Sequence, residues 1–257
     1  MQTVANQLQS KGLSWKAYME DMGNVATREA PVCAHPPLGS LDGTQSAVPG
    51  DGYATRHDPF VYFHSIIGDT ATCDANVVPL GTPSGTLPAN VPPGTTGLAT
   101  DLRSAVTTPN LAWITPDLCS DGHDFPCTNR PGGASALADI DSFLSTWVPL
   151  ITSSPAFHQG GLLEITFDES DGPQSDSSAC CGETSGPLDP LPGLLGPGGG
   201  RVGAVLISPF IKPGTVSNQP YNHFSSLASI EDTFGLNRLG EAATVSRTFG
   251  SDVFTAP

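Results

Sequence analysis

The chain has 257 residues, enough to bury a substantial core, and we expect a single domain spanning residues 1–257. Its 25 acidic and 10 basic side chains give a net charge of -15, which disfavours binding to nucleic acid or to an anionic membrane surface and favours cations as partners. The 29 glycines and 25 prolines exceed the usual share of these residues, so we expect long irregular loops on a folded scaffold.

The amino-terminal part predicts one helix, one strand and one long loop. Apolar residues four apart, followed by Gly12, predict a short helix over residues 3–11. Apolar and polar residues then alternate over residues 13–19, as in a β-strand. Residues 79–97 are rich in proline and glycine and lack periodicity, which indicates a surface loop.

The middle of the chain predicts a strand and a long helix. Residues 111–115, Leu-Ala-Trp-Ile-Thr, are typical of a short buried strand, and the loop after them carries His123 and Asp124. Apolar residues recur at helical spacing over residues 139–152. The first residue of this range, an aspartate, is a candidate N-cap, and Pro149 is expected to kink or shorten the last turn.

An apolar run over residues 162–167 predicts a buried strand that ends in two adjacent carboxylates, Asp168 and Glu169. In an open α/β sheet, ligands collect beyond the carboxyl ends of the strands, and a divalent metal offsets the repulsion between neighbouring carboxylates. A solvated acidic loop is the alternative interpretation of this stretch taken alone. Glu164 lies within the predicted strand, where a charge is costly unless it is paired.

The carboxyl-terminal part predicts one more strand and one more helix. A segment rich in glycine, proline and serine, residues 172–200, precedes an apolar strand over residues 202–207. Asn222 and His223 then precede a helix that Gly235 should end. The alternation of strands and helices along the chain predicts an α/β fold around a mostly parallel central sheet flanked by helices.

Three loops that follow a strand or precede a helix contain pairs of polar residues suited to chemistry. The pairs are His123 with Asp124, Asp168 with Glu169, and Asn222 with His223. A histidine beside a carboxylate can coordinate a metal, donate to a phosphoryl oxygen or protonate a leaving group. Each pair by itself is also compatible with ordinary solvated loop residues, but three pairs on one predicted face favour a shared site.

Six cysteines lie in loop-like sequence without a CxxC pair, as expected for an exported protein with disulfides. Candidate pairs are Cys33 with Cys73, Cys119 with Cys127, and the adjacent Cys180 with Cys181. The adjacent pair forms either a vicinal bridge or two free thiols, and sequence leaves the connectivity open. Residues 1–12 contain no signal-peptide core and no run approaches a membrane span, so we expect a secreted protein whose true beginning is missing.

Several motifs taken together point to a known family. They are Gly-Leu-Ser-Trp-Lys-Ala-Tyr-Met-Glu-Asp-Met at 12–22, Arg-His-Asp-Pro-Phe at 56–60, Thr-Pro-Asp-Leu at 115–118, Gly-His-Asp at 122–124, Thr-Phe-Asp-Glu at 166–169, Tyr-Asn-His-Phe-Ser-Ser-Leu at 221–227 and Ile-Glu-Asp-Thr-Phe-Gly-Leu at 230–236. In this order and spacing they closely resemble the bacterial phosphoesterase family, which includes secreted acid phosphatases and phospholipases C.

The resemblance implies an alkaline-phosphatase-like α/β fold and a metal-assisted hydrolysis of phosphate esters through a serine or threonine nucleophile. By motif, Asp168 and Glu169 are similar to the family's downstream metal ligands. His123, Asp124 and His223 are similar to residues that line the phosphate and leaving-group side. Carboxylate ligands favour a hard divalent ion such as calcium, magnesium or manganese.

The chain departs from the family pattern at its beginning. Family members begin with a strand that ends in a Glu-Asn pair and continue to the serine or threonine nucleophile, and neither feature occurs in this chain. We therefore expect either a phosphoesterase whose upstream segment is missing or a non-catalytic exported relative that still binds phosphate or a metal. A sulfatase is disfavoured, because no Cys/Ser-x-Pro-x-Arg motif lies near the start. The expected substrate is a phosphate ester, either a small molecule or a phospholipid.

Overall fold

A computed structural model describes residues 1–129, 133–170, 172, 174–182 and 195–255. The chain divides into two compact units, Met1–His158 and Gln159–Pro257. That the whole chain forms a single domain stays a prediction. Among the described residues, no helix is both long enough and apolar enough to cross a membrane.

The first unit is built from short helices around three strands. In chain order these are α1 (Val4–Ser10), β1 (Trp15–Met19), α2 (His64–Ile67), α3 (Thr70–Asn76), β2 (Val77–Pro79), α4 (Leu98–Asp101), β3 (Leu111–Thr115), α5 (Ala136–Thr152) and α6 (Pro155–His158). Two 3-10 turns, Thr55–His57 and Pro59–Tyr62, lie between β1 and α2. The predicted loop over residues 79–97 begins one residue later than expected, because Pro79 ends β2, a three-residue strand too short to show a pattern.

The three strands of the first unit form a parallel sheet in the order β2-β1-β3. Ala17 of β1 aligns with Val77 on one side and with Trp113 on the other. A strand paired on both edges is buried, and accordingly Trp15 and Tyr18 are at most 1% exposed. The unit is therefore a mixed α/β structure with a parallel sheet, as predicted, whereas the alkaline-phosphatase-like detail stays a prediction.

The prediction that β3 is buried is wrong, because none of its five residues is buried. Ala112 is exposed, and Trp113 retains 41% of its accessible surface. The reason is position, because β3 lies at one end of the three-strand order and pairs with β1 alone within this sheet. Trp113 still makes an edge-to-face contact with Phe60, whose ring also stacks on Trp15 at 4.8 Å.

Both ends of α1 are determined by local sequence. The Thr3 hydroxyl accepts a hydrogen bond from the Asn6 N–H, and the Asn6 side chain accepts one from the Thr3 N–H, which completes a capping box. Gly12 follows the helix with a φ of +75°, a conformation in which glycine has no Cβ penalty. The predicted helix over residues 3–11 is therefore confirmed.

The long helix α5 begins earlier than its apolar pattern indicates. Ser135 is the N-cap, since its hydroxyl accepts from the Ala138 N–H at 3.1 Å, so the prediction that Asp139 caps the helix is wrong. Asp139 lies instead in the first turn. The helix continues past Pro149 to Thr152, so its last turn is not shortened. Proline removes only its own N–H from the ladder, and the rest of the turn persists.

One apolar core joins α5 to the sheet of the first unit. Phe143 and Trp147 of this helix pack in a cluster with Tyr18 of β1 and Val78 of β2. Burying side chains of this size contributes roughly 1.5–3 kcal/mol each. The cluster explains why β2 is part of the sheet although it has only three residues.

The second unit contains, among its described residues, β4 (Leu163–Thr166), β5 (Ala204–Ile207), α7 (His223–Phe234) and a 3-10 turn, Gly240–Ala243. The two strands pair antiparallel, so the expectation of a parallel arrangement does not extend to them. Asn222 caps α7 through the Ser225 N–H, and Gly235 ends it at a φ of +61°. The two strands and the helix occur where they were predicted, with slightly shorter strands, but the prediction that the strands are buried is wrong, because none of the residues of β4 and β5 is buried.

Three disulfides are present in the described residues. They join Cys33 to Cys73, Cys119 to Cys127, and Cys180 to Cys181. The first two match candidate pairs from the sequence, and the last is the vicinal bridge rather than two free thiols. The predicted loop over residues 172–200 is described only in part, since Pro173 and residues 183–194 lie outside the described residues, as does Asp171 just before it.

Candidate active site

A cluster of two histidines and two carboxylates lies in the first unit, on the loop after β3 and a 3-10 turn. His57 Nδ1 is 3.0 Å from Asp121 Oδ2, and His123 Nδ1 is 2.8 Å from Asp124 Oδ1. The two imidazole rings face each other edge to face, with centroids 5.8 Å apart. His57 and His123 therefore form one group, although they are 66 positions apart in sequence.

Each imidazole of this cluster has a carboxylate at Nδ1 and its second nitrogen turned away from that partner. A carboxylate at Nδ1 favours a proton on that atom, so Nε2 is the nitrogen that can exchange a proton with a bound molecule. The side chain of His123 is 56% exposed and that of His57 is 22% exposed. The pair can thus donate hydrogen bonds or a proton to an oxygen at the surface of the unit.

The sequence alone predicts no role for Asp121 or for His57, although His57 lies in the Arg-His-Asp-Pro-Phe motif. The structure gives both a place in the cluster. Asp58, the next residue of that motif, accepts a hydrogen bond from the Phe60 N–H and so caps the turn that follows His57. Burial raises the pKa of Asp58 to about 7. The available signal is the motif itself, since no local pattern relates residue 57 to residue 121.

The second group of predicted residues lies in the second unit, beyond the carboxyl end of β4. Asp168 and Glu169 follow this strand and are both exposed. His223, the first residue of α7, has its Nε2 2.7 Å from the Asp168 backbone oxygen. The structure therefore brings His223 to Asp168 across 55 residues of sequence. This contact uses the Asp168 carbonyl and leaves its carboxylate for another partner.

Glu164 is half-buried and has a hydrogen-bonding partner. The Ser226 hydroxyl of α7 donates to Glu164 Oε2 at 2.8 Å. Burial raises the pKa of Glu164, while the Ser226 hydrogen bond and the nearby His223 act in the opposite direction. Glu164 thus ties the interior of β4 to the same helix that presents His223.

The donor chemistry of Asp168 and Glu169 fits a hard divalent ion, because both offer exposed carboxylate oxygens. Among the described residues, no third histidine, cysteine or acidic side chain joins them in a group of metal-ligand geometry. The two carboxylates would therefore supply part of a coordination sphere. That they share a site with His123 and Asp124 stays a prediction.

A cavity of about 580 Å³ opens at the carboxyl end of β1 in the first unit. Glu20 and Asp21 line its acidic side, and Phe143 and Trp147 line its apolar side. Its volume falls within the range of small-molecule pockets. The loops after parallel strands thus provide both a concave surface and titratable groups in this unit.

Comparisons with known proteins agree on one family. The model of the phosphoesterase family matches residues 1–237. A phosphate-repressible acid phosphatase of Penicillium chrysogenum is 26% identical over 239 residues, which cover 93% of this chain and 43% of the relative. An acid phosphatase of Aspergillus fumigatus is 25% identical over 238 residues, covering 93% of this chain and 40% of the relative. The chain therefore spans less than half the length of these curated relatives, and both are fungal rather than bacterial.

Proposed function

Because the chain belongs to the phosphoesterase family, we propose that it hydrolyses phosphate esters and that its substrates are small phosphomonoesters. The observation that carries the proposal is the pair of imidazoles, each with a carboxylate at Nδ1, on the loop after a parallel strand. The names of the two fungal relatives favour a phosphomonoester over a phospholipid.

His123 is assigned the proton transfer of this reaction. In the hydrolysis, water adds to phosphorus, the bond from phosphorus to the ester oxygen breaks, and that oxygen takes up a proton. His123 in its protonated form can supply the proton through Nε2, while Asp124 holds Nδ1 and stabilises the positive charge. His57, held in the same way by Asp121, can donate to a phosphoryl oxygen.

Asp168 and Glu169 are proposed to hold a divalent ion of the calcium, magnesium or manganese class. When bound, such an ion would polarise a phosphoryl oxygen and offset the charge of the phosphate. His223 contributes by donating to the Asp168 carbonyl, which fixes the backbone from which the carboxylate extends. The net charge of -15 favours cations near this surface.

We also propose that the protein is secreted. The three disulfides persist in an oxidising compartment and are rare in the cytosol. Expression with and without an export signal, followed by thiol counting, tests this point, since a fully reduced active protein would contradict it.

Hydrolysis of an aryl phosphate by the chain is the direct test. We expect H123A to lower kcat by about 100-fold or more, because a positioned general acid contributes that much. His158→Ala is the matched control, since His158 is also an exposed histidine of the first unit. No hydrolysis by the unaltered chain, in the presence of each of the three metals, would favour the non-catalytic alternative.

The metal assignment has its own measurement. Calorimetric titration with manganese, magnesium or calcium should give binding that D168A and E169A each weaken by about tenfold or more. Glu241→Ala removes another exposed acid of the second unit and should leave binding unchanged. Equal affinities in all three variants and the parent would overturn the assignment of these two ligands.

A further inference from the structure

A network of buried and half-buried polar groups joins the loops that follow β1 and β3. Asn129 Nδ2 donates to Asp21 Oδ2 at 2.6 Å and to Asp117 Oδ2 at 2.9 Å. Glu20 takes part as well, because its Oε2 accepts the Asp117 N–H at 2.9 Å. The carboxyl groups of Asp21 and Asp117, which follow adjacent parallel strands, thus both accept from the side-chain amide of Asn129.

The backbone at Gly52 closes this network from a third loop. Its N–H donates to Asp21 Oδ2 at 2.9 Å. A Cβ at this position would lie 2.8 Å from Asp117 Cγ, a distance that real Cβ atoms essentially never show. Asp21 itself has a φ of +63°, which is uncommon for a residue with a side chain. The loops are therefore held in one close arrangement by specific partners.

Asp117 fixes the turn that leads to the histidine cluster. Its Oδ1 accepts the N–H groups of Cys119 and Ser120 at 3.1 and 2.7 Å, and its backbone oxygen accepts the Asp121 N–H at 2.9 Å. The Asp124 N–H then donates to the Leu118 oxygen at 2.8 Å. The position of the cluster residues thus depends on the position of the Asp117 carboxylate.

We infer that Asp21, Asp117 and Asn129 form a positioning unit that fixes the turn carrying Asp121 and His123. Their effect on the imidazoles passes through the backbone of residues 117–124. The unit holds together while Asp21 and Asp117 share a proton, since two adjacent carboxylates repel each other. Its meaning for catalysis rests on the proposed phosphoesterase function, but its effect on the turn does not.

The proton in this unit leaves at mildly alkaline pH. Burial, the hydrogen bond to Asp117 and the charge of Asp117 raise the pKa of Asp21 to about 8, with Glu20 adding to the rise and the Gly52 N–H opposing it. Asn24 also faces Asp21, donating to its Oδ1 at 2.9 Å. A group whose pKa is raised in the folded state favours folding at low pH, so the stability of the unit falls as pH rises from about 4, the ordinary pKa of an aspartate, to about 8.

Hydrogen exchange of the Asp121 and Asp124 amides tests the unit without any need for activity. We expect N129A to lower their protection factors by about tenfold or more, because a buried hydrogen-bonding partner is lost. N110A is the matched control. Asn110 Oδ1 accepts the Ser14 N–H at 2.9 Å and so joins the opposite ends of the same two strands. Protection in N129A equal to that in N110A would overturn the inference.

A second pair of variants tests the shared proton. D21N keeps a neutral group that can hydrogen bond, so we expect the same protection at pH 5 and pH 9, whereas the wild type should lose protection between these values and D21A should lack it at both. A wild-type loss between pH 5 and pH 9 that persists in D21N would contradict the role of this proton. Circular dichroism identifies a variant that fails to fold, and N129A then decides the inference alone.

The link to catalysis is measured separately. If the chain hydrolyses an aryl phosphate, N129A should lower kcat while KM changes by less than about twofold, because the positioning unit acts through the backbone of the turn. Lower protection with unchanged kcat would show that the positioning unit has a structural role and no effect on catalysis. Absence of hydrolysis in the parent chain would count against the proposed function and leave the exchange result valid.

Discussion

The two units each contain an ion pair between an arginine and an aspartate, and the environments of these pairs differ. Arg28 and Asp51 of the first unit have side chains that are 7% and 0% exposed, with Arg28 Nη1 2.5 Å from Asp51 Oδ1. Arg238 and Asp232 of the second unit are 31% and 43% exposed. The first pair is therefore buried. Its Asp51 carboxylate also accepts hydrogen bonds from the Val25 and Tyr53 N–H groups.

This difference shows how each unit uses charge. In the first unit, buried acids hold loops together, so their protonation and pairing are coupled to folding. In the second unit, Asp168 and Glu169 remain exposed and can meet a cation. Acidic residues are therefore structural where they are buried and candidates for ligand binding where they are exposed.

Removing the arginine from each pair should give the largest difference in stability loss between the two units. We expect R28A to lower the free energy of unfolding by about 3–5 kcal/mol, because Asp51 would be left as an unpaired buried charge. R238A should cost only about 0–1 kcal/mol, since water replaces the arginine. Urea unfolding followed by circular dichroism measures both. Similar losses in the two variants would show that exposure does not distinguish the pairs.

The pH dependence of stability should also differ between acids of the two units. The pKa of Asp58 is raised by burial to about 7, so the folded state binds a proton that the unfolded state releases near its ordinary pKa. Stability should therefore fall as pH rises from about 4 to about 7, by on the order of 4 kcal/mol from this group. D58N should remove that part of the slope. Thermal unfolding of the parent and the variant across this pH range checks it, and parallel slopes would contradict the prediction.

For Asp232 of the second unit, we expect stability to change with pH in the opposite direction. Its hydrogen bond to Arg238 lowers its pKa, so its stabilising effect is present above the ordinary pKa of an aspartate and is lost as pH falls below it. The change should be small, because the pair is exposed. D232N should therefore alter stability only slightly near neutral pH, and its difference from the parent should shrink in acid. A difference that grows in acid would contradict this sign.

The smallest expected effect concerns Glu164. S226A removes the hydroxyl that donates to its carboxylate, at a cost of about 0.5–1.5 kcal/mol, and should raise the pKa of Glu164 further. Ser145→Ala is a suitable control, since its hydroxyl donates to a carbonyl of its own helix. Urea unfolding measures the cost of both changes. A loss no larger than that of the control would assign Ser226 no special role.

Much of the fold follows from patterns confined to a few neighbouring residues. A mostly apolar run predicts the strand over residues 163–166, whereas the three residues of β2 are too few to show a pattern. The apolar pattern also fails to predict where α5 begins. The large apolar residue of its first turn, Leu137, is 74% exposed and does not belong to the apolar face, and Ser135 acts through a single hydrogen bond.

The candidate site is predictable from sequence only as separate pairs. His123 and Asp124 are adjacent, so their contact is nearly independent of the fold. His57 reaches Asp121 only because a turn from one loop lies beside the loop after β3. The bridge from Asn129 to Asp21 spans 108 residues and has no local signal at all. The acidic ends of β1 and β3 indicate only that carboxylates gather there, since adjacent parallel strands end at the same edge.

By itself, the sequence determined the capped helices of this protein and the residue types at the ends of its strands. Thr3 with Asn6, and Asn222 with Gly235, act over three to thirteen positions, where hydrogen bonding and backbone preference depend on the local chain alone. Only the tertiary structure decided that Asp21 and Asp117 meet at the Asn129 amide while Asp168 and Glu169 stay exposed. Burial is the physical reason, because the cost of a charge depends on the water around it.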